Sequence, residues 1–117
     1  MNTKRQNLLG FQWSVYPEAH RNRRNLTIHI LTVPVFMAGT VLALSAPWTG
    51  LWSAPLGLVA MLFAIGAQGR GHKHESTPPV PFRGPRDVVL RLFAEQWITF
   101  PRFVLTGGFG RAWRETR

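Results

Sequence analysis

The sequence predicts an all-α fold, an integral membrane helical hairpin with interfacial or re-entrant amphipathic helices on either side of it. Two observations support this prediction. No Asp, Glu, Lys or Arg lies between Arg24 and Arg70, and hydrophobic residues make up 45% of the 117-residue chain. A buried hairpin in a soluble protein is the alternative, but the chain has too little polar sequence to surround one. We therefore expect a single membrane domain that covers residues 1–117.

The uncharged stretch divides into two predicted transmembrane helices, 27–46 and 49–68. Each is close to the roughly 20 residues that span the hydrocarbon core of a bilayer. Pro47 and Trp48 form so short a link that the two helices must be antiparallel. Positive charges precede the first helix and follow the second, so the positive-inside rule puts both termini in the cytoplasm. These charges are Lys4, Arg5, Arg21, Arg23, Arg24, Arg70 and Lys73.

The rest of the chain flanks this hairpin. In order, we expect an amphipathic helix (5–19), a loop rich in proline and glycine (69–85), an amphipathic or re-entrant helix (86–105) and a basic tail (106–117) that ends at Arg117. Along the second amphipathic helix, Asp87, Arg91 and Glu95 follow one another at intervals of four residues. This spacing predicts a strip of ion pairs on one face of that helix.

The formal net charge of +9 indicates an anionic partner. Nucleic acid is disfavoured because the chain has no recognised nucleic-acid motif, and its positive charges bracket apolar segments instead of forming a stripe. Membrane lipids with anionic headgroups fit that distribution better. The chain has no cysteine, so any metal ion must be held by imidazole and oxygen ligands.

All four histidines lie at the foot of the predicted hairpin: His20, His29, His72 and His74. Because the hairpin brings residues near 27 and 70 to one level, it can gather imidazoles that are distant in sequence. On one continuous helix, His20 and His29 would lie on opposite faces, about 13 Å apart along the axis. They can share a ligand only if the chain turns between them, and the stretch 21–24 is the expected place.

The candidate ligands leave the identity of a metal open. His72 and Glu75 can face one centre if the chain is helical there, and imidazole with carboxylate is the ligand set of non-haem Fe(II) oxygenases. Three imidazoles can equally hold Zn(II). Interfacial histidines that bind lipid phosphates are the simpler alternative. Asn25 lies four residues before His29, so its amide can orient that imidazole or cap the helix, whereas His74 is expected to face solvent.

These residues also form a family pattern. The first part of the pattern is Tyr16, His20-Arg21-Asn22, Asn25, Ile28-His29 and Pro34; the second is Gln68, Gly71-His72, Glu75 and Pro78-Pro79. The pattern, which covers roughly residues 12–80, resembles the small membrane proteins related to the fungal Fe(II)-dependent dioxygenase of fatty-acid alpha-oxidation. That family has many bacterial members, and the run from Glu95 to Phe103 is similar to a bacterial branch of it.

The resemblance implies a reaction in which dioxygen removes the carboxyl carbon of a 2-hydroxy fatty acid or similar lipid acid, leaving a product one carbon shorter. It implies Fe(II) as the cofactor, an acyl chain lying between apolar helices, and a location in a bacterial inner membrane. His20, His29 and His72 become the catalytic iron ligands, and Glu75 becomes a ligand or a group that orients one. The polar residues expected around them are Asn22, Asn25 and Gln68.

Two other functions stay open at this stage. The first is a non-enzymatic membrane protein that binds lipid headgroups or a partner through its basic, histidine-rich cytoplasmic feet. The second is a zinc-dependent hydrolase that uses the same histidines. The identity of the metal that restores activity to stripped protein separates the hydrolase from the dioxygenase.

Overall fold

The computed structural model describes residues 7–115, and all regular secondary structure in this range is helical. The predicted all-α class is therefore confirmed. Lys4, Arg5, Arg117 and the outermost parts of the segments 5–19 and 106–117 lie outside the described residues. The α-helices are α1 (Leu8–Val15), α2 (Arg23–Leu44), α3 (Ala46–Thr49), α4 (Ser53–His72), α5 (Pro85–Ala94), α6 (Phe100–Leu105) and α7 (Gly108–Glu115). A 3₁₀ turn (Pro17–Ala19) follows α1, and a π-helical turn (Glu95–Thr99) joins α5 to α6.

Helix α2 begins at Arg23, four residues before the first predicted span. The cause is Asn22, whose side-chain oxygen accepts hydrogen bonds from the backbone N–H groups of Arg24 and Asn25, at 2.8 and 3.3 Å. An asparagine in this position satisfies N–H groups that have no partner within the helix, so it sets where the helix starts. The helix then continues through Pro34 to Leu44.

The connection between the two long helices is longer than the predicted link at Pro47 and Trp48. Those two residues belong to α3, which ends at Thr49, and the next residue, Gly50, has a φ of +125°. Glycine adopts such a φ without the steric cost that other residues meet, so the chain changes direction there. Helix α4 consequently begins at Ser53 instead of residue 49 and extends past residue 68 to His72.

Helices α2 and α4 lie side by side, with the start of one next to the end of the other. Near their α3 end, a Cβ atom added to Gly39 would lie 2.7 Å from the carbonyl oxygen of Gly57, so only glycine permits this approach. At the opposite end, a Cβ on Gly71 would collide with the side-chain oxygen of Asn25. Small residues at both ends therefore let the two backbones come close together.

Among the described helices, α2 alone is long and apolar enough to cross a membrane by length and composition. Helix α4 carries Arg70 in its last turn and does not meet the same criterion. A core helix or a signal sequence can pass this test as α2 does. The two-span hairpin in a bilayer therefore stays a prediction.

The flanking helices pack onto the foot of α2. Tyr16, Leu26, Val33, Phe100 and Phe103 form one buried apolar cluster that joins α1, α2 and α6. The predicted strip of ion pairs on α5 is wrong in part. Asp87 and Arg91 approach to 3.5 Å, but Glu95 turns inward to face two histidines.

Candidate metal centre

Three histidines from three separate segments meet at the foot of the helix pair. His20 follows the 3₁₀ turn, His29 lies in the second turn of α2, and His72 is the last residue of α4. The chain turns between His20 and His29 where Asn22 caps α2, as the sequence predicts. The ring centroids lie 4.7 to 5.1 Å apart, and each pair of rings is nearly perpendicular. The structure thus brings all three predicted imidazoles to one point.

Hydrogen bonds to the backbone fix the orientation of two of these rings. The Nδ1 atom of His20 lies 2.9 Å from the carbonyl oxygen of Tyr16, and Nδ1 of His29 lies 3.0 Å from that of Asn25. A carbonyl oxygen can only accept, so Nδ1 must carry the proton in both histidines. In the neutral imidazole, Nε2 then has a lone pair available for a metal ion.

The fourth member of the group is Glu95, the first residue of the π-helical turn. Its Oε2 atom lies 3.4 Å from Nε2 of His20 and 3.2 Å from Nε2 of His29. Ligand atoms from His20, His29, His72 and Glu95 all lie within 4.8 Å of one another. The two shortest separations match those of neighbouring ligands around one ion with bonds of about 2.1 Å. This group can therefore hold a metal ion.

The nitrogen and oxygen atoms of this four-residue group are arranged so that a positive charge between them would be stabilising. The Nε2 atoms of His20 and His29 and Nδ1 of His72 are buried and have no hydrogen-bond partner within residues 7–115. With Nδ1 protonated, two imidazole lone pairs face a carboxylate oxygen, and acceptors repel one another unless a cation lies between them. A proton can supply that charge in the metal-free protein, and a metal ion can supply it to all four residues together.

The pKa values of the acidic and basic members suit ligation at neutral pH. Burial raises the pKa of the Glu95 carboxyl, but its interactions with His20 and His29 lower it by more, leaving the pKa well below 4.5. Burial and the charges of His20 and His29 lower the pKa of His72 from 6.5 to about 4, although Glu95 opposes this shift. At pH 7 the carboxylate is therefore ionised and His72 is neutral, the forms in which both bind metals.

Tyr16 supports the group from the side of α1. Its hydroxyl donates a 2.8 Å hydrogen bond to Oε2 of Glu95, and its ring stacks on His20 with centroids 3.7 Å apart. Burial and the neighbouring Glu95 charge raise the pKa of the phenol well above 10, so it stays a neutral donor. Tyr16 thereby holds both the carboxylate and one imidazole in place.

Glu75 lies outside this four-residue group. Its carboxylate accepts hydrogen bonds from the backbone N–H groups of Arg21 and Asn22, at 3.0 to 3.1 Å, and from the side-chain amide of Asn25 at 2.8 Å. These bonds tie the segment after His72 to the turn between His20 and His29. In the structure, Glu75 fastens the three histidine-bearing segments together instead of joining the ligand cluster.

The other predicted residues have different surroundings. Asn22 caps α2, and the backbone carbonyl of Asn25, instead of its amide, holds His29. Gln68 is buried, donates to Thr32 and exchanges two hydrogen bonds with Gln96 of the π-helical turn, at 3.0 and 2.7 Å. His74 is exposed, as expected.

Glu95 is the member of the site that sequence reasoning missed. On an ideal α-helix it follows Asp87 and Arg91 on one face, which suggested an ion pair. Two signals pointed to it nonetheless. The chain has only five acidic residues, and Glu95-Gln96 begins the run that is similar to a bacterial branch of the family. The π-helical turn, which the sequence did not predict, starts at this residue.

A cavity of about 510 Å³ opens beside this four-residue group. Tyr16, His20, His72 and Glu95 line one part of it, and the remaining lining is mainly apolar. His29 is fully buried and is not among the lining residues. A bound molecule in this cavity therefore reaches the group from the side of His20, His72 and Glu95.

Comparison with protein-family models, with curated proteins and with solved structures finds no match to this chain.

Proposed function

We propose that this protein is an Fe(II)-dependent membrane dioxygenase that shortens a 2-hydroxy fatty acid, or a similar lipid 2-hydroxy acid, by one carbon. The observation that carries the proposal is a cluster of three imidazoles and one carboxylate, in which one nitrogen of each ring is buried and has no hydrogen-bond partner within residues 7–115. The sequence pattern that resembles the alpha-oxidation dioxygenases contains the same three histidines. The adjoining cavity supplies room for a lipid-like substrate.

The donor set fits Fe(II). Imidazole nitrogen and carboxylate oxygen suit non-haem iron, and four protein ligands leave coordination positions for substrate in a six-coordinate ion. His20 and His29 are held as Nε2 ligands by backbone carbonyls, which act as the outer-shell partners that metal-bound imidazoles need. Glu95 supplies a negative charge that offsets part of the charge of the ion. Zn(II) accepts the same donors, so the choice of iron rests on the resemblance.

The overall reaction balances without a separate reductant. A 2-hydroxy acid, R–CH(OH)–COOH, and O₂ give R–COOH, CO₂ and H₂O. The C1–C2 bond breaks, C2 is oxidised from an alcohol to a carboxyl carbon, and C1 leaves as CO₂. These changes release four electrons, the number that reduces one dioxygen. An Fe(II) ion, when bound, would supply the redox chemistry. The substrate would be held at the ion through its hydroxyl and carboxylate groups.

The chain's own residues have defined parts in this proposal. His20, His29, His72 and Glu95 hold the ion, and Tyr16 keeps Glu95 and His20 in position by donating to one and stacking on the other. Glu75 joins the three histidine-bearing segments. The buried pair of Gln68 and Gln96 connects α4 to the π-helical turn and so links His72 to Glu95.

We place α2 and α4 across the bilayer of a bacterial inner membrane, with both termini in the cytoplasm. Large apolar side chains on both helices are exposed, and a bilayer is the environment that such a surface fits. These residues are Leu31, Val41, Leu44, Leu56, Leu58, Val59, Leu62 and Phe63. The metal centre would then lie at the cytoplasmic interface, where a membrane-borne acid presents its carboxylate.

Metal content and dioxygen uptake test this function together. Protein prepared in lipid nanodiscs under anaerobic conditions is expected to hold about one iron per chain. On addition of 2-hydroxyhexadecanoic acid and dioxygen it is expected to consume both in equal amounts and to release CO₂, whereas hexadecanoic acid causes no uptake. Iron that does not bind, or activity restored to stripped protein by Zn(II) and not by Fe(II), would overturn the proposal.

A further inference from the structure

The cavity beside the metal centre lies between two helices that turn matching faces toward it. On α4, His72, Gln68 and Ile65 line it, at intervals of four and three residues. On α5 and the π-helical turn, Glu95, Leu92 and Val88 do so, at intervals of three and four. Each interval is close to one helical turn, so both walls extend about 10 Å from the level of the metal centre.

The chemistry of the walls changes along this distance. His72 and Glu95 form the polar end at the metal centre. One turn away the walls carry Gln68 and Leu92, and two turns away both carry an aliphatic residue, Ile65 on α4 and Val88 on α5. A site that is polar at one end and apolar at the other matches an amphiphile with one charged head and one chain.

The loop between α4 and α5 forms the outer wall. Val80 and Phe82 line the cavity, and the guanidinium of Arg91 holds this part of the loop by donating to the carbonyl oxygens of Val80 and Pro81, at 2.9 and 3.1 Å. The guanidinium also lies over the Phe82 ring, 4.4 Å from its centroid. The loop thereby contributes a third part of the cavity lining, beside α4 and α5.

We infer that the groove between α4 and α5 is a binding site for a single acyl chain, with its carboxylate at the metal ion that His72 and Glu95 would hold and the chain passing Leu92 and then Val88. This inference rests on the proposed function for the identity of the head group. It adds which side chains select the length of the acyl chain. A chain longer than the groove continues past Ile65 and Val88. Leu92 acts on acids of every length, and Val88 acts on long ones.

Tryptophan substitutions at two depths of the groove, with a control outside it, test this assignment. Leu92→Trp fills the groove near the head, Val88→Trp fills it two turns away, and Val89→Trp is the matched control. Val89 is the neighbour of Val88 in sequence, but it is 55% exposed and does not line the cavity. Ile65→Trp, on the opposite wall at the depth of Val88, is a second variant of the same kind should Val88→Trp fail to fold.

Binding is measured without turnover, in nanodiscs that contain Co(II)-loaded protein, by the change in visible absorption on adding 2-hydroxybutanoic acid, which is too short to reach Val88, or 2-hydroxyhexadecanoic acid. We expect Leu92→Trp to weaken binding of both acids by about tenfold, as overfilling of an apolar site does. Val88→Trp and Ile65→Trp are expected to weaken only the longer acid, and Val89→Trp neither. Equal effects of Val88→Trp and Val89→Trp, or effects that do not depend on chain length, would overturn the inference.

A second titration separates this inference from the proposed function. Metal-free protein is titrated with the methyl ester of cis-parinaric acid, a fluorescent lipid that has neither a 2-hydroxyl group nor a charge that Glu95 would repel. If dioxygen uptake is absent but this ester binds with the same dependence on Leu92, Val88 and Val89, the groove assignment is supported and the dioxygenase activity is not. If dioxygen uptake occurs and the variants at Leu92, Val88 and Val89 bind all acids with the same affinity, the dioxygenase activity is supported and the groove assignment is wrong.

Discussion

The two ends of the α2–α4 pair differ in what surrounds them. Near α3, Gly39 and Gly57 bring the backbones together, and large side chains point outward, with Trp48 and Leu51 84% and 86% exposed. At the opposite end, His29 and Asn25 are fully buried. His29 lies against Glu95 and Phe100, and Asn25 donates hydrogen bonds to Ala19 and Glu75. The apolar end therefore depends on its environment for cover, whereas the polar end is covered by the protein itself.

This contrast explains why the group that could hold a metal ion lies at one end only. Buried imidazoles and a buried carboxylate cost free energy unless they are paired, and the flanking helices provide the partners. The apolar end needs no such partners. If the contrast is correct, substitutions at the polar end act on metal binding, and substitutions at the apolar end act on stability.

The largest expected effect is that of His29→Ala. Removal of a fully buried ligand should abolish stoichiometric iron binding and reduce dioxygen uptake by at least about 100-fold. His74→Ala is the matched control, because His74 is exposed and outside the ligand group. Elemental analysis of both variants, purified side by side in nanodiscs, checks this. Iron retained at the wild-type level by His29→Ala would contradict the site.

The next comparison sets two carboxylates against each other. Glu95→Gln removes a ligand and is expected to raise the dissociation constant for Fe(II) by about 100-fold, whereas Glu75→Gln disturbs only the supporting bonds and should raise it by about tenfold. Glu18→Gln, at a side chain that is 68% exposed, should leave it unchanged. Competition with a chromogenic chelator measures all three. A larger effect at Glu75 than at Glu95 would favour the ligand set that the sequence suggested.

Two glycines of α4, Gly57 at the apolar end and Gly66 further along the helix, should respond in opposite directions. A Cβ on Gly57 collides with the carbonyl oxygen of Gly39, so Gly57→Ala is expected to lower the free energy of unfolding by roughly 1–3 kcal/mol. Gly66 has no atom within 4 Å of an added Cβ, so Gly66→Ala should raise it by up to about 1 kcal/mol through helix propensity. Thermal unfolding in nanodiscs measures both, with iron content as the control that neither reaches the metal centre.

The smallest expected effect is a pH dependence of the metal-free protein. Burial lowers the pKa of His72 to about 4 in the folded protein, against 6.5 in the unfolded chain. Between these pH values the unfolded state therefore binds more protons than the folded state. Stability should therefore fall as the pH drops from 6.5 towards 4. Unfolding of chelator-treated protein at a series of pH values tests this, and His72→Gln should reduce the slope. A free energy of unfolding that increases as the pH drops from 6.5 towards 4 would contradict the lowered pKa of His72.

Much of this architecture follows from local sequence. The uncharged stretch 25–69 predicts two long helices, and the histidines at its ends predict where a site can form. The ends of those helices were predicted less accurately, because the helix cap at Asn22 and the positive φ of Gly50 determine them. The carboxylate was assigned to Glu75 because of its spacing from His72, yet Glu75 bonds to the backbone of another segment. Such a contact across 50 residues leaves no periodicity that a sequence can reveal.

What the sequence determined by itself is the helical class and the three imidazoles, since apolar periodicity and residue chemistry are local properties. Only the tertiary structure decided that Glu95 is the fourth member of the group. Its orientation depends on a π-helical turn, which ordinary helical periodicity does not predict, and on Tyr16, His20 and His29, which are distant from Glu95 in the sequence. The groove between α4 and α5 has the same origin, because a cavity belongs to two surfaces and its shape is set only when they meet.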